Sequence, residues 1–158
     1  DPQIEMNVNA YLPSEYIGDE KQKIELYKKF RAVTTLEEVN DLEEEIEDRF
    51  GEFPDSVITL FRVARIRAYA YQYGIESIQQ KEDVVTLLFQ DQVKTTIDGQ
   101  KLFQLTNEFP GKIRFITGQS VGIMFKIKGM SIESTLQMIE KFLIKVNTCF
   151  DTERSYPT

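Results

Sequence analysis

Apolar residues first recur at every second position. Ile4, Met6, Val8 and Ala10 alternate with Glu5, Asn7 and Asn9, the period of a half-buried strand. Leu12-Pro13 ends it, because proline has no amide to give to a ladder. The spacing then changes to three and four. Asp19 opens a predicted helix to about Val33, with Ile24, Tyr27, Phe30 and Val33 as its apolar side and lysines over the rest. Thr34 and Thr35 stop that helix. Thr35-Leu36-Glu37-Glu38 reads as a capping box for the next one: the hydroxyl takes a free backbone amide and Glu38 reaches back. The second helix carries Leu36, Val39, Leu42, Ile46 and Phe50 on one stripe, and Gly51 follows as its C-terminal cap. Phe53-Pro54-Asp55 turns into a third helix with proline at its start. This helix runs to about Tyr73, stops at Gly74, and has Val57, Phe61, Ala64, Ala68 and Tyr71 on its best apolar face.

Beyond Gly74 the texture is different. Ile75–Gln79 and Val84–Phe89 read as strands joined near Lys81-Glu82-Asp83, a hairpin. A helix is predicted over Asp98–Phe109, closed by Pro110-Gly111. Lys112–Ile116 and Val121–Lys128 form a second predicted hairpin with Gly118 in its turn. Ser131 caps a last helix through about Val146, aligning Ile132, Leu136, Ile139 and Leu143. The tail from Thr148 onward lacks periodicity and is expected to fray. The order βαααββαββα, helices segregated from hairpins, predicts an α+β fold rather than a doubly wound parallel sheet. Residues 1–158 read as a single domain, with a subdivision allowed near Gly74 between a mostly helical 1–74 and a sheet-plus-helix 75–147, followed by the tail 148–158. No internal repeat or low-complexity segment interrupts the pattern.

Composition narrows the chemistry. With 158 residues, 41% hydrophobic and 28% charged, the chain can bury roughly 70% of its unfolded surface and needs no staple. It has no histidine, which removes Ser-His-Asp and Cys-His catalysis and histidine-ligated zinc. The single cysteine, Cys149, makes neither a CxxC site nor an internal disulfide. It reads as an inert core or tail thiol of a cytoplasmic protein. The apolar run Val84–Phe89, broken by Thr86, is too short for a membrane span. Gly111-Lys112 fails as a Walker loop because positions 106 and 113 are threonine and isoleucine. Gly118-Gln119-Ser120-Val121-Gly122 lacks the start of a dinucleotide fingerprint. No calcium-loop pattern is present. Carboxylates are plentiful enough for acid–base chemistry, but they lie on a strongly patterned helix face. We therefore expect no catalytic residue, no metal site and no cofactor. The start at Asp1-Pro2-Gln3, without an initiator Met, suggests a piece of a larger protein.

Charge is uneven. The net value is −7, made of −9 over residues 1–53 and +2 over the remainder. An acidic chain disfavours general binding to phosphate backbones, though a local basic patch stays open. Two clusters stand out. The second helix holds Glu37, Glu38, Asp41, Glu43, Glu44, Glu45, Glu47 and Asp48. Asp41, Glu45 and Asp48 fall at i, i+4 and i+7, a stripe beside the apolar face, and Arg49 lies four residues after Glu45. Read plainly, this is a solvated helix with one weak ion pair. Yet like charges packed so densely strain their own helix, and a basic partner would relieve them. The other cluster is Arg62, Arg65 and Arg67, with Arg62 and Arg65 on one face. Arginines suit bidentate pairing with carboxylates, and the acidic helix next door is their simplest partner.

A resemblance takes the reading further. Asn9-Ala-Tyr-Leu-Pro-Ser-Glu-Tyr-Ile17, Lys23-Ile-Glu-Leu-Tyr-Lys-Lys-Phe30, Leu42-Glu-Glu-Glu-Ile-Glu-Asp-Arg-Phe-Gly51, Pro54 and Arg62-Val-Ala-Arg-Ile-Arg67 together resemble the C-terminal domain of the transcription-repair coupling factor family. The likeness is strongest over residues 9–74 and continues by order of elements to about Val146. Asn9 and Leu12 depart from the family's Asp and Ile. The resemblance implies an ATP-driven DNA translocase of the bacterial cytoplasm. Its motor, with ATP and Mg, and its RNA polymerase-binding module would lie elsewhere in the parent protein, and no membrane is involved. This domain would be a non-catalytic clamp that packs on an N-terminal UvrB-like module and covers the surface that binds UvrA. Carried over, the family's contact residues fall on Glu45, Asp48 and Arg49, the stripe already marked by spacing, with Asp41 beside them. Arg62 and Arg65 are candidates for a secondary interface. The alternative is a nucleic-acid-contacting accessory domain using Arg62, Arg65 and Arg67, or Lys112, Arg114, Lys126 and Lys128.

Overall fold

In the computed structural model, which describes residues 1–150, the elements follow the predicted order. They are β1 (Gln3–Glu5), α1 (Glu20–Ala32), α2 (Leu36–Phe50), α3 (Asp55–Tyr73), β2 (Ile75–Lys81), β3 (Val84–Phe89), α4 (Gly99–Thr106), β4 (Ile113–Ile116), β5 (Gly122–Lys126) and α5 (Ile132–Val146). A 3₁₀ turn over Asp91–Thr95, which the pattern did not reveal, precedes α4, and another over Asn147–Cys149 follows α5. The fold is α+β. The chain divides into two compact units, residues 8–69 and residues 1–7 with 70 onward, and the division falls inside α3.

The 8–69 unit is closed by its entry segment and helix caps. Pro13 turns the chain: its carbonyl accepts from the amides of Tyr16 and Ile17. Leu12 and Ile17, 2% and 1% exposed, plug a core of Leu26, Phe30, Val39, Leu42, Ile46, Val57, Phe61, Ala64 and Ala68. The Leu12 amide donates to the Tyr27 hydroxyl at 2.7 Å, and the Tyr16 hydroxyl donates to the Gly51 carbonyl at 2.6 Å. Thus the Asn9–Ile17 motif is a structural latch. Gly51 sits at φ 87°, a left-handed region that glycine enters at no steric cost. The rings of Phe30 and Phe53 pack at 4.9 and 5.0 Å from Phe61.

Two apolar faces differ from expectation. On α1, Leu26 and Phe30 are buried while Ile24 is 53% exposed. Residues spaced by three drift around a helix, so Ile24 lies about 120° from Phe30, whereas Leu26 is one four-residue step away. On α3, Val57, Phe61, Ala64 and Ala68 face the core as predicted, but Tyr71 is exposed and donates its hydroxyl to Asp1 at 2.8 Å.

The other unit is built on a five-stranded sheet of order β1-β2-β3-β5-β4. β1 pairs with β2 in parallel, and every other neighbour is antiparallel. β1 is shorter than the period-two run predicts. Ladder pairing stops at Glu5, and the Asn7 amide goes instead to the Gln80 side chain at 2.9 Å. Glu82, at φ 56°, makes the β2–β3 turn. One face of the sheet carries Ile78, Val85, Leu87, Ile123 and Phe125, all 0% exposed. α5 packs there: Phe142 meets Phe125 edge-on at 5.5 Å and Phe109 at 6.0 Å. α4 is shorter than predicted, because Asn107 to Gly111 form turns rather than a last helical turn.

The segment Thr148–Phe150 does not fray. Cys149 is fully buried, its carbonyl accepts from the Asp98 amide at 2.6 Å, Phe150 bridges Ile97, and its ring stacks on Tyr73 at 5.5 Å. Apolar side chains thus anchor a stretch without periodicity. The rest of the tail reading falls on residues 151–158, outside the described residues. Burial pushes the Cys149 thiol above its ordinary range, which suits an inert core sulfur.

Candidate interaction face on the second helix

α2 is held at both ends by local chemistry. The Thr35 hydroxyl accepts from the Glu38 amide at 3.1 Å, and Glu38 Oε1 accepts from the Thr34 and Thr35 amides at 3.0 and 3.1 Å. The predicted capping box is therefore present in full. The Thr34 amide first, then the Thr35 hydroxyl and amide, hold the Glu38 carboxyl below the usual range. Glu38 is thereby committed to the cap.

Val39, Leu42 and Ile46 are the buried residues of α2, with Leu36 and Phe50 partly buried beside them. Asp41 and Asp48 are exposed, and Glu45 is half-buried. The Lys29 ammonium of α1 donates to Glu45 Oε2 at 2.7 Å, and the Arg49 guanidinium donates to the same oxygen at 3.0 Å. Lys29 foremost, then Arg49, keep the Glu45 carboxyl below its ordinary value against the opposing cost of burial. The i,i+4 partner Arg49 was legible in the spacing. Lys29 was not, since it comes from another helix. The signal available was a lysine in the last turn of α1 just before the short Val33–Thr35 connection. Arg49 also lies over the Phe50 ring, 5.0 Å from its centroid.

Between α1 and α2 lies an open hollow of about 260 Å³. Ala32, Val33 and Leu42 supply its apolar lining, with Lys29, Glu38, Asp41 and Glu45 around them. The structure thus brings Asp41, Glu45, Asp48 and Arg49 to one side of α2. Glu43 is separate from them: Arg65 of α3 donates to it at 3.0 Å. Arg67 donates to the Phe30 carbonyl at the end of α1. Arg62 is half-buried on α3. Among the described residues, no three His, Cys, Asp or Glu side chains lie close enough to hold a metal ion. No helix of the described residues is long and apolar enough to cross a membrane.

Comparison with known proteins settles the family. A model of the TRCF domain matches residues 6–100. The chain belongs to the TRCF domain family. The matched span contains the latch, α1 to α3 and the first hairpin. Transcription-repair-coupling factors are similar over most of the chain. The one from Bacillus subtilis (strain 168) is 41% identical over 87% of this chain, and that from Staphylococcus epidermidis (strain RP62A) is 31% identical over 92%. That from Staphylococcus aureus (strain USA300) is 30% identical over 90%. The chain spans 12% of the length of each of these relatives. The crystal structure of a C-terminal domain of transcription-repair coupling factor has the same fold, with a TM-score of 0.81 at 24% identity over 92% of both chains.

Proposed function

We propose that this TRCF domain is a non-catalytic regulatory clamp of a bacterial transcription-repair coupling factor. Its acidic α2 face masks the UvrA-binding surface of the parent's N-terminal UvrB-like module. The observation that carries this reading is the division of labour on α2. Glu38 and Glu43 are tied to the cap and to Arg65, whereas Asp41 and Asp48 stand exposed beside the Lys29–Glu45–Arg49 cluster on a face that the core does not use. In the parent, the motor with its ATP and Mg, the RNA polymerase contact and the DNA track would reside in other domains of a cytoplasmic protein. The nucleic-acid alternative is weakened at its first cluster, because Arg65 and Arg67 are engaged within their own unit.

The clamp would work by electrostatic masking. Basic residues of the repair module would meet the carboxylates, and the domain would compete with UvrA for one surface. Removing one partner of a buried charge pair costs about 3–5 kcal/mol, far more than a rim pair. Moving a clamp from mostly closed to mostly open needs about 5.5 kcal/mol. One or two buried pairs would therefore set the balance.

The test is binding between this domain and the N-terminal module as separate proteins. Saturable binding that weakens at least about tenfold on Asp48→Lys is expected. Binding indifferent to that reversal would remove the α2 face from the mechanism.

A further inference from the structure

The second face of the sheet carries a different charge. Residues in register across a sheet share a face. Arg114, Met124 and Thr86 form one such row, and Lys126, Val84 and Lys81 form another. One register step beyond the β4–β5 ladder, the Lys126 amide donates to the Lys112 carbonyl at 2.7 Å, so these two lysines stand opposite each other. This face is the reverse of the one that carries Phe125 and Ile123 against α5. All the cations named here are exposed, as is Lys128; Val84 and Met124 are half-buried within these rows, and Leu88 and Ile116 are half-buried in the next row along the same face. None of these cations enters a salt bridge among the described residues. The anion in these rows, Glu5 of β1, lies at the opposite edge of the sheet.

Like charges directly opposite destabilise a strand pair, so the hairpin carries a local cost that a counter-charge would remove. Two chemistries supply one: a nucleic-acid backbone or an acidic protein. Single strands bind on stacking aromatics, and no aromatic side chain lies in these rows. A duplex backbone would use the cations but not the half-buried apolar residues. An apolar strip bordered by cations at one end and one edge is closer to a protein interface, which joins apolar contact to polar surroundings.

We propose that this β2–β3–β5–β4 face docks an acidic amphipathic protein segment. The segment's apolar side would sit on Met124 and Val84, and its carboxylates on Lys81, Arg114, Lys126 and Lys112. The surface is distinct from the α2 face and opposite to it in sign, so the domain would hold a basic partner at one site and an acidic one at the other.

The probe is a Leu/Glu amphipathic peptide titrated into the 158-residue chain, with a Leu/Lys peptide and a duplex oligonucleotide as comparisons. Saturable binding of the Leu/Glu peptide is expected, with amide shifts confined to β2–β5. It should weaken at least about tenfold in Arg114→Glu with Lys126→Glu. The gentler Arg114→Gln with Lys126→Gln should weaken it less and keeps the test valid if the reversal misfolds. No saturable binding, equal binding of the Leu/Lys peptide, or indifference to both variants would overturn the proposal. So would tighter binding of the duplex at this face.

Discussion

α2 and α5 have the same length, 15 residues, and each starts from a hydroxyl cap. They put that length to opposite uses. α5 buries Thr135, Leu136, Ile139, Phe142, Leu143 and Val146, whereas α2 buries only Val39, Leu42 and Ile46. α5 is held by packing, since its apolar stripe is wide enough to close the sheet's core. α2 is held by a narrow stripe, a capping box and a C-terminal glycine, which leaves most of its circumference to carboxylates. A helix stabilised from its ends and one edge can present a free face, and a helix stabilised by a broad apolar face cannot. That contrast is why α2 rather than α5 is the candidate interface.

The contrast breaks most visibly at Phe142. Its ring is 0% exposed and touches both Phe125 and Phe109. Phe142→Ala should cost about 3–5 kcal/mol, the transfer loss plus a cavity between α5 and the sheet. Thermal or denaturant unfolding would measure it. A loss near 1 kcal/mol would mean that α5 is not the principal packing helix.

Thr35→Ala tests the opposite strategy. It removes the hydroxyl that accepts from the Glu38 amide and one donor to Glu38. A loss of about 1 kcal/mol is expected, within the usual 0.5–2 for such caps. Glycine at the same place should cost only a few tenths. If alanine and glycine were equally harmless in denaturant melts, α2 would be held by packing after all.

How much of this was legible in the sequence depended on range. The Thr35–Glu38 box, Gly51, the Val39–Ile46 stripe and the Ser131 cap are local, and the pattern predicted each of them. The stripe Asp41, Glu45, Asp48 was placed by helical spacing alone. What failed was set by contacts between distant residues. Spacing by three groups Ile24 with Phe30, whereas packing in the core of the 8–69 unit selects Leu26. Thr148–Phe150 has no period because Ile97 and Tyr73, far back in the chain, hold it. The strand order β1-β2-β3-β5-β4, with a parallel first pair, has no local signature. Lys29 was missed for the same reason, and it changes the energetics of the site.

Acid titration sharpens the role of that lysine. Lys29 and Arg49 depress the Glu45 carboxyl from its ordinary value of 4.5. A depressed folded pKa contributes stability that is present above the unfolded value and is lost as pH falls through the folded one. The wild-type chain should therefore lose more stability than Glu45→Gln between about pH 5 and pH 3. At neutral pH Glu45→Gln should cost no more than about 1 kcal/mol, because the partners are 50% and 41% exposed and solvent screens them. Identical acid limbs for the two proteins would show that the triad does not persist in solution.

Asp48→Ala should have the smallest effect on the fold, and for that reason it separates folding from binding most cleanly. Asp48 is exposed, caps nothing, and takes part in no salt bridge among the described residues. Its charge sits beside Glu44, Glu45 and Glu47, so removal relieves like-charge crowding. Stability should stay within about 0.5 kcal/mol of wild type, with a gain as acceptable as a loss. In the parent protein the same change should weaken the clamp and strengthen UvrA binding. Arg49→Ala should follow it in binding if the guanidinium meets the partner, but should fall short if its work is confined to Glu45 and the Phe50 ring. The deciding measurement sets UvrA affinity of the parent against melting of the domain. Unchanged affinity with an intact fold would return the face to ordinary solvated helix surface. A loss of several kcal/mol in melting would place Asp48 inside a network and undo the contrast between α2 and α5.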